Sequence, residues 1–365
     1  MGKSRSAPDT LILFSTLALL AIGVVMVYSA SAVNAFHDFG DSYYYLKRQV
    51  VFALLGLAGM YATMRIDYHV WKTTAPAVLI ACFALLVIVL IPGVGVVRGG
   101  ARSWLGIGSL GIQPSEFMKL AMVMFLAKRL SENHSQITRF GTGLLPPLAL
   151  VGAAFGLIML QPDLGTGAVL VGASLIVIYA AGARIAHLAG LALAGAAGFV
   201  GLILAAPYRL KRITAFLDPW QDPLGAGYQA IQSLYAIGPG RLVGLGLGMS
   251  RQKYNYLPEP QTDFIFSIIA EELGFIGGAA VLLLFLLLVW RGMRTAIAAP
   301  DTFGSLLAVG ITGMLAVQVI INIGVVIGLL PVTGITLPLI SAGGSSLTLI
   351  LTAIGILLNI SRYAR

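Results

Sequence analysis

Glu116 and Lys119 lie three residues apart in an otherwise apolar run, a spacing that puts both on one face of a helix. Pro114 suits the first turn of that helix, where its missing N–H is not needed. Ionisable groups inside an apolar span are expensive and usually functional. The two either neutralise each other as a structural pair or line a polar cavity that admits a lipid headgroup. Asp263 poses a similar choice. It follows Leu257-Pro258-Glu259-Pro260-Gln261-Thr262, a stretch stiffened by two prolines, and precedes the apolar Phe264-Ile265-Phe266. Asp263 can cap that helix, as can Thr262. Glu271 and Glu272 follow on the same span, with Glu271 about 12 Å below Asp263 at helical rise. Three acidic groups on one apolar helix are costly unless the helix lines a polar cavity.

Cations and glycines extend the set. Arg209, Lys211 and Arg212 could meet phospholipid headgroups or bind a pyrophosphate. Tyr228, Ile231, Leu234 and Tyr235 recur at helical spacing with Gln229, Gln232 and Ser233 between them, the pattern of a short interfacial amphipathic helix. Gly238, Gly240, Gly244, Gly246 and Gly248 are not a nucleotide loop, because no βαβ strand precedes them and no Gly-Lys-Ser/Thr accompanies them. Asp163, after Pro162, fits the first turn of a helix by its charge. Ser341-Ala342-Gly343-Gly344-Ser345-Ser346 opens another helix with small residues, which expose backbone N–H groups to an anion.

The elements that must position these residues are membrane helices. Of the 365 residues 58% are hydrophobic and 10% charged. Soluble domains carry about 25% charge, so a soluble enzyme is excluded. The net charge of +9 comes without a compact basic run, which argues for cytoplasmic loops at an anionic leaflet and against nucleic acid. Cys82 is the one cysteine, so neither an intramolecular disulfide nor a Cys-based metal site forms. The expected fold is all-α: a single polytopic membrane domain over 1–365 with about ten transmembrane helices. They fall near 11–32, 49–64, 75–91, 114–130, 143–160, 164–181, 186–206, 264–290, 303–330 and 339–361, with one long extracytoplasmic loop, 207–263. The first run is read as a retained helix and not as a signal peptide. Lys and Arg of the short loops favour both termini in the cytoplasm. The distinctive stretches, 98–116, 161–166, 207–263 and 331–346, then all face outward, and the positive ends of the fourth, sixth, eighth and tenth spans could converge on one anionic headgroup.

Taken together the motifs resemble the SEDS family, the RodA/FtsW/SpoVE proteins of bacterial wall growth. The resemblance rests on Asn322…Gly328-Leu329-Leu330-Pro331…Gly334…Ser341-Ala342-Gly343-Gly344-Ser345-Ser346, on Phe216-Leu217-Asp218-Pro219 leading to Gly227-Tyr228-Gln229 and Gln232-Ser233-Leu234, and on Leu257 to Phe264. Many members have His where this chain has Gln261, and Tyr where it has Ala342, so the weight of a proton acceptor falls on Asp263. The resemblance implies an inverting peptidoglycan glycosyltransferase in the bacterial cytoplasmic membrane that polymerises lipid II into glycan strands. Asp263 is carried over as the essential loop aspartate, a base for the acceptor hydroxyl. Arg98, Arg102, Lys119, Arg209 and Arg212 are candidates to hold the leaving pyrophosphate, with Glu116, Gln232, Ser341, Gly343 and Gly344 also at the substrate. A divalent cation, Mg or Mn, could assist, although no cofactor is certain and no metal ligand is assigned.

Implied partners are lipid II, the growing glycan chain, membrane lipids and a class B penicillin-binding protein that cross-links the product. Gly274, Gly277, Gly278, Gly304, Gly310 and Gly313 offer a small-residue surface for its single span. The main rival is a lipid II flippase, for which Glu116, Lys119, Glu271 and Glu272 would line a path; inner loops without distinctive residues argue against it. Short terminal tails lean to elongation and cell shape (RodA) over division or sporulation.

Overall fold

The structure, a computed structural model, describes residues 6–98, 101–107, 110–133, 136–204 and 216–364. In a bilayer every backbone polar group must be satisfied within the protein, which dictates helices. Ten of them coincide with the expected spans: α1 (Thr10–Phe39), α2 (Tyr44–Arg65), α3 (His69–Ile88), α4 (Pro114–Glu132), α5 (Leu145–Met159), α6 (Leu164–Ala180), α7 (Ile185–Leu204), α9 (Ile265–Ala298), α10 (Thr302–Val326) and α11 (Gly344–Ser361). Six are long and apolar enough to cross a membrane by length and composition, counting α5 with the π-helical turn Phe140–Leu144 before it. The chain is therefore an all-α polytopic membrane protein. α8 (Tyr228–Gly240) is the short amphipathic helix, with Ile231, Ser233 and Ala236 on its buried side.

Three short strands depart from the expected pattern. β1 (Val96–Arg98), β2 (Ala101–Ile107) and β3 (Leu110–Ile112) form an antiparallel sheet in order β1-β2-β3 just before α4. They belong to the loop that the sequence marks as distinctive, but its glycines hide the alternation of a strand.

α10 and α11 are the most enclosed of the long apolar helices. α2 lies close against α11, where a Cβ on Gly355 would come within 2.4 Å of the Met60 carbonyl. Both termini meet at one end of the bundle. Asp9 caps α1 and its carboxylate accepts from Arg291 Nε at 3.0 Å, while its backbone N–H donates to Ser361 Oγ at 3.0 Å.

α9 is broken at Gly274, whose φ of 67° and ψ of −165° interrupt the helix. The chain from Arg241 to Gly246 fills the break. Leu245 and Gly246 donate to the carbonyls of Glu271 and Glu272 (2.9 and 3.0 Å), while Phe275 and Ile276 donate to those of Arg241 and Leu242 (2.8 and 3.1 Å). The same segment takes up the two glutamates. Glu272 accepts from Ser29 Oγ, from the Gly248 and Ser250 N–H groups and from Lys253 Nζ. Glu271 accepts from Ser250 Oγ and the Arg251 N–H. The expectation that both line the same polar cavity as Asp263 is thereby corrected: they anchor the loop inside the protein. The glycine surface is corrected at three of its positions. Gly310 faces Val123 and Val177, Gly313 faces Ile176, and Gly304 faces Tyr68, so these positions serve packing within the chain.

A side chain at Gly274 would need positive φ and would place Cβ 2.3 Å from the Gly244 nitrogen, whereas Cβ at Gly278 has its nearest neighbour at 3.5 Å. Gly274→Ala should destabilise by about 1–3 kcal/mol from backbone strain alone, and Gly278→Ala should be close to neutral. Thermal unfolding of the two variants in the same detergent checks this.

Candidate functional site

One cavity of about 500 Å³ gathers the residues of interest; its wall includes Asp263, Glu116, Lys119, Asp163, Gly343 and Gly344. Helix starts converge on it. α4 begins behind Gln113, α6 behind Asp163 and α11 behind Gly343, so each turns its positive end toward the cavity. Asp163 ties two of them together: its carboxylate accepts from the Thr166 N–H at 3.0 Å, which caps α6, and from Gln113 Nε2 at 2.9 Å.

The Glu116–Lys119 pair is almost fully buried, with 5% and 2% of each residue exposed. Lys119 Nζ donates to Glu116 Oε1 and to Gln318 Oε1, both at 2.9 Å, and Gln318 Nε2 donates to the Thr336 carbonyl at 3.0 Å. An ammonium has three protons, so one is left for a third acceptor. Among the described residues Glu116 Oε2, Thr333 Oγ1 and Ser346 Oγ are buried without a partner, and all three residues line the cavity. Buried polar atoms without partners are rare in folded proteins. The three that line this cavity mark a place for a polar ligand.

Asp263 is held by its backbone. Its carbonyl accepts from Asn322 Nδ2 at 2.9 Å, and the same amide donates to the Ile335 carbonyl at 2.7 Å. Ser341 Oγ donates to the Thr262 carbonyl at 2.6 Å, and the Ala342 N–H to the Gln261 carbonyl at 2.9 Å. Asn322 and the 335–342 segment thus fix the aspartate directly and through its two preceding residues. Its carboxylate, by contrast, makes no hydrogen bond among the described residues. It does not cap α9 either, since that position is Phe264 and has no side-chain cap. Burial pushes its pKa up to about 7, and the like charges of Glu259 and Asp163 add to the rise. A carboxyl that is half ionised near neutrality, unpaired and open to a cavity is equipped to take a proton.

Residues 9–365 match the FtsW/RodA/SpoVE family model, described as "cell cycle protein". The chain belongs to this family. It is 61% identical over its full length and that of the relative to stage V sporulation protein E of Bacillus subtilis. It is 46% identical to the probable peptidoglycan glycosyltransferase FtsW of Trichlorobacter lovleyi, over 97% of this chain and 93% of that one. Among solved structures it resembles a chain of a peptidoglycan synthase complex that coordinates polymerisation and crosslinking (TM-score 0.80, 36% identity, 98% of each chain). It also resembles the rod shape determining protein RodA of Thermus thermophilus (TM-score 0.71, 32% identity, 98% of this chain and 97% of that one).

Not every residue that the sequence singles out in this family member reaches the cavity. Arg102 sits on β2 opposite Val97 and packs over Gly95. Gln232 lies on α8, away from the wall, and Ser341 spends its hydroxyl on the loop backbone. Arg98 ends β1, its backbone opposite Ala101, and its side chain lies outside the described residues. Arg209, Lys211 and Arg212 lie outside the described residues. Sequence reasoning misses Arg48, Gln113, Glu259 and Gln318 on the wall. Arg48 reads only as a loop charge, and Gln318 sits in an apolar run four residues before the motif's Asn322; nothing local flags either. Among the described residues no three His, Cys, Asp or Glu side chains come together as a metal site.

Glu116→Gln should leave Lys119 as an uncompensated buried charge and cost about 3–5 kcal/mol. Glu116→Gln combined with Lys119→Met should recover most of that stability. Chemical or thermal unfolding of the single and double variants measures the difference.

Proposed function

We propose that this chain is a peptidoglycan glycosyltransferase that polymerises lipid II on the outer side of the cytoplasmic membrane. The observation that carries the proposal is the unpaired Asp263 carboxylate, with its pKa raised to about 7, on the wall of a cavity ringed by helix N-termini. The 4-hydroxyl of an acceptor GlcNAc loses its proton to Asp263 as its oxygen bonds to the anomeric carbon of a lipid-linked MurNAc. The bond from that carbon to the pyrophosphate breaks, and the lipid pyrophosphate leaves with the electron pair. Lys119, Arg48 and the N-termini of α4, α6 and α11 are the cationic and dipolar groups that meet it.

Asp263 is the one carboxylate on the described wall that makes no hydrogen bond, which supports a single displacement with inversion; Glu116 is paired with Lys119 through Oε1. Asp163 is occupied by Thr166 and Gln113, and Glu259 accepts from Gln261 Nε2 at 3.2 Å. The engagement of Glu271 and Glu272 with the 248–253 loop weighs against a flippase, since a headgroup path would need them. Both termini at one end of the bundle support an even number of spans, and the Lys and Arg of the short loops favour that end inside. A polymerase needs a cross-linking partner, and the likeness to a chain of a synthase complex that couples polymerisation to crosslinking supports a transpeptidase of the penicillin-binding class. As to branch, 61% identity to the stage V sporulation protein against 32% to RodA moves the reading from elongation to sporulation or division.

Asp263→Asn keeps volume and breaks no helix cap. In liposomes supplied with lipid II and the transpeptidase partner it should insert and fold normally yet polymerise at least ~100-fold more slowly, the scale of general base catalysis. Glycan strands made at near wild-type rate would end the assignment. The pH profile has a definite sign. Asp263 works ionised, so the rate should rise with pH through about 7 and fall below it. Glu259→Gln removes a like charge and should move that limb to lower pH. Charging Asp263 opposes folding, because its folded pKa lies above the unfolded value. Its cost to stability therefore sets in as pH passes the ordinary carboxylate range and is complete above about 7.

A further inference from the structure

A second groove, of about 620 Å³, takes no part in the displacement above. It runs between Phe216–Trp220 and α8 on one side and the Ile327–Val332 turn on the other. Trp220 lies on its wall with 55% of the residue exposed. Such exposure would ordinarily go with a mobile loop, but this loop is fixed. Asp218 accepts from the Trp220 N–H at 3.2 Å and from Gln221 Nε2 at 3.1 Å. Asp222 accepts from the Ala226 N–H at 3.0 Å through its carboxylate and from the Gly227 N–H at 3.1 Å through its carbonyl. Gly227 lies so close to Pro219 that a Cβ there would be 2.1 Å from its carbonyl oxygen. The Tyr235 ring, 5.9 Å from that of Trp220 and tilted by 59°, buttresses the indole from α8. An aromatic face held rigid and left open, with the amide of Gln229 on the same wall, is the composition of a site that orients a ligand by stacking plus a few polar bonds.

Its position says which ligand. Leu330, Pro331 and Val332 wall the groove, and Thr333, Gly334 and Ile335, next in the chain, wall the cavity of Asp263. The two spaces are separated by the thickness of one loop. We propose that the groove is a saccharide subsite in which Trp220 stacks on the C–H face of a hexosamine and Gln229 hydrogen-bonds to its polar substituents, holding the glycan strand beyond the sugars that react. The inference rests on the polymerase reading. A β-linked pyranose carries its hydroxyls around the ring edge and presents a flat C–H face, which suits an indole. A strand gripped there stays on the protein between additions, so the groove governs strand length.

Two measurements test this with the full chain in liposomes, together with its transpeptidase partner. In the first, soluble uncross-linked glycan oligomers are titrated while tryptophan fluorescence is followed, with Trp220→Phe and Trp220→Leu alongside. Saturable quenching is expected in the wild type. Trp220→Phe keeps an aromatic face and should still compete for the oligomers, whereas Trp220→Leu should bind them ~10-fold more weakly. In the second, Trp220→Leu should shorten the strands made from lipid II several-fold, by more than it slows lipid II consumption. Leucine preserves an apolar contact with the bilayer. If Trp220 only anchors the loop at the membrane interface, Trp220→Leu will match wild type in both measurements, and the proposal is overturned. Absence of oligomer binding to the wild type overturns it as well. A wild type that binds oligomers but forms no strands would overturn the polymerase reading and leave the saccharide site standing.

Discussion

A polar group at membrane depth must find its partner within the protein, and this constraint shapes the chain more than any single apolar contact. α9 enters with two glutamates and a broken backbone, a combination that lipid would not tolerate. The 241–253 segment supplies backbone N–H groups, Ser250 and Lys253, and the helix in turn supplies carbonyls to that segment. The loop is therefore anchored to the core through the buried Ser250 and Lys253, while Leu242, Val243, Leu247 and Met249 stay exposed. Once it is pinned, the chain leading through Pro258 and Pro260 to Asp263 has little freedom, and Asn322 removes most of what remains.

Buried oxygens without partners occur elsewhere among the described residues, on Gln161 and Thr312 for example, but the cavity gathers three of them beside Asp263. Glu116, Thr333 and Ser346 each hold a buried oxygen without a partner, and Asp263 has a carboxylate without a hydrogen bond among the described residues. Polar atoms withheld from one another are available to a substrate. The same arrangement sets the acidity of the base, since Glu259 and Asp163 stand near enough to raise it while their own carboxylates are engaged with Gln261, Thr166 and Gln113. Positive helix ends and Lys119 oppose that negative charge from the other walls, where a pyrophosphate would lie.

Much of this is legible in the sequence, and the division follows range. Apolar periodicity places ten helices within a few residues at most of their ends, because span length is set by the bilayer and not by tertiary contacts. Asp263, Glu116 and Lys119 stand out because charge in an apolar run is rare. Glu271 and Glu272 stand out for the same reason and read as cavity residues; their partners lie about twenty residues back along the chain, in a loop whose path a periodicity argument does not follow. The three strands are hidden by glycine, and the break at Gly274 by an unbroken apolar pattern. Gln318 and Arg48 become visible only when α2 and α10 are brought to the same wall.

The central claim is that the cavity holds Asp263 as a proton acceptor poised near neutral pH. Infrared difference spectroscopy of the protein in liposomes, with Asp263→Asn as the blank, follows the carbonyl stretch of the protonated carboxyl as pH is varied. The account predicts a single carboxyl that ionises near pH 7. A band that is already gone at about pH 5, with Asp263 titrating like an ordinary surface carboxylate, would contradict it.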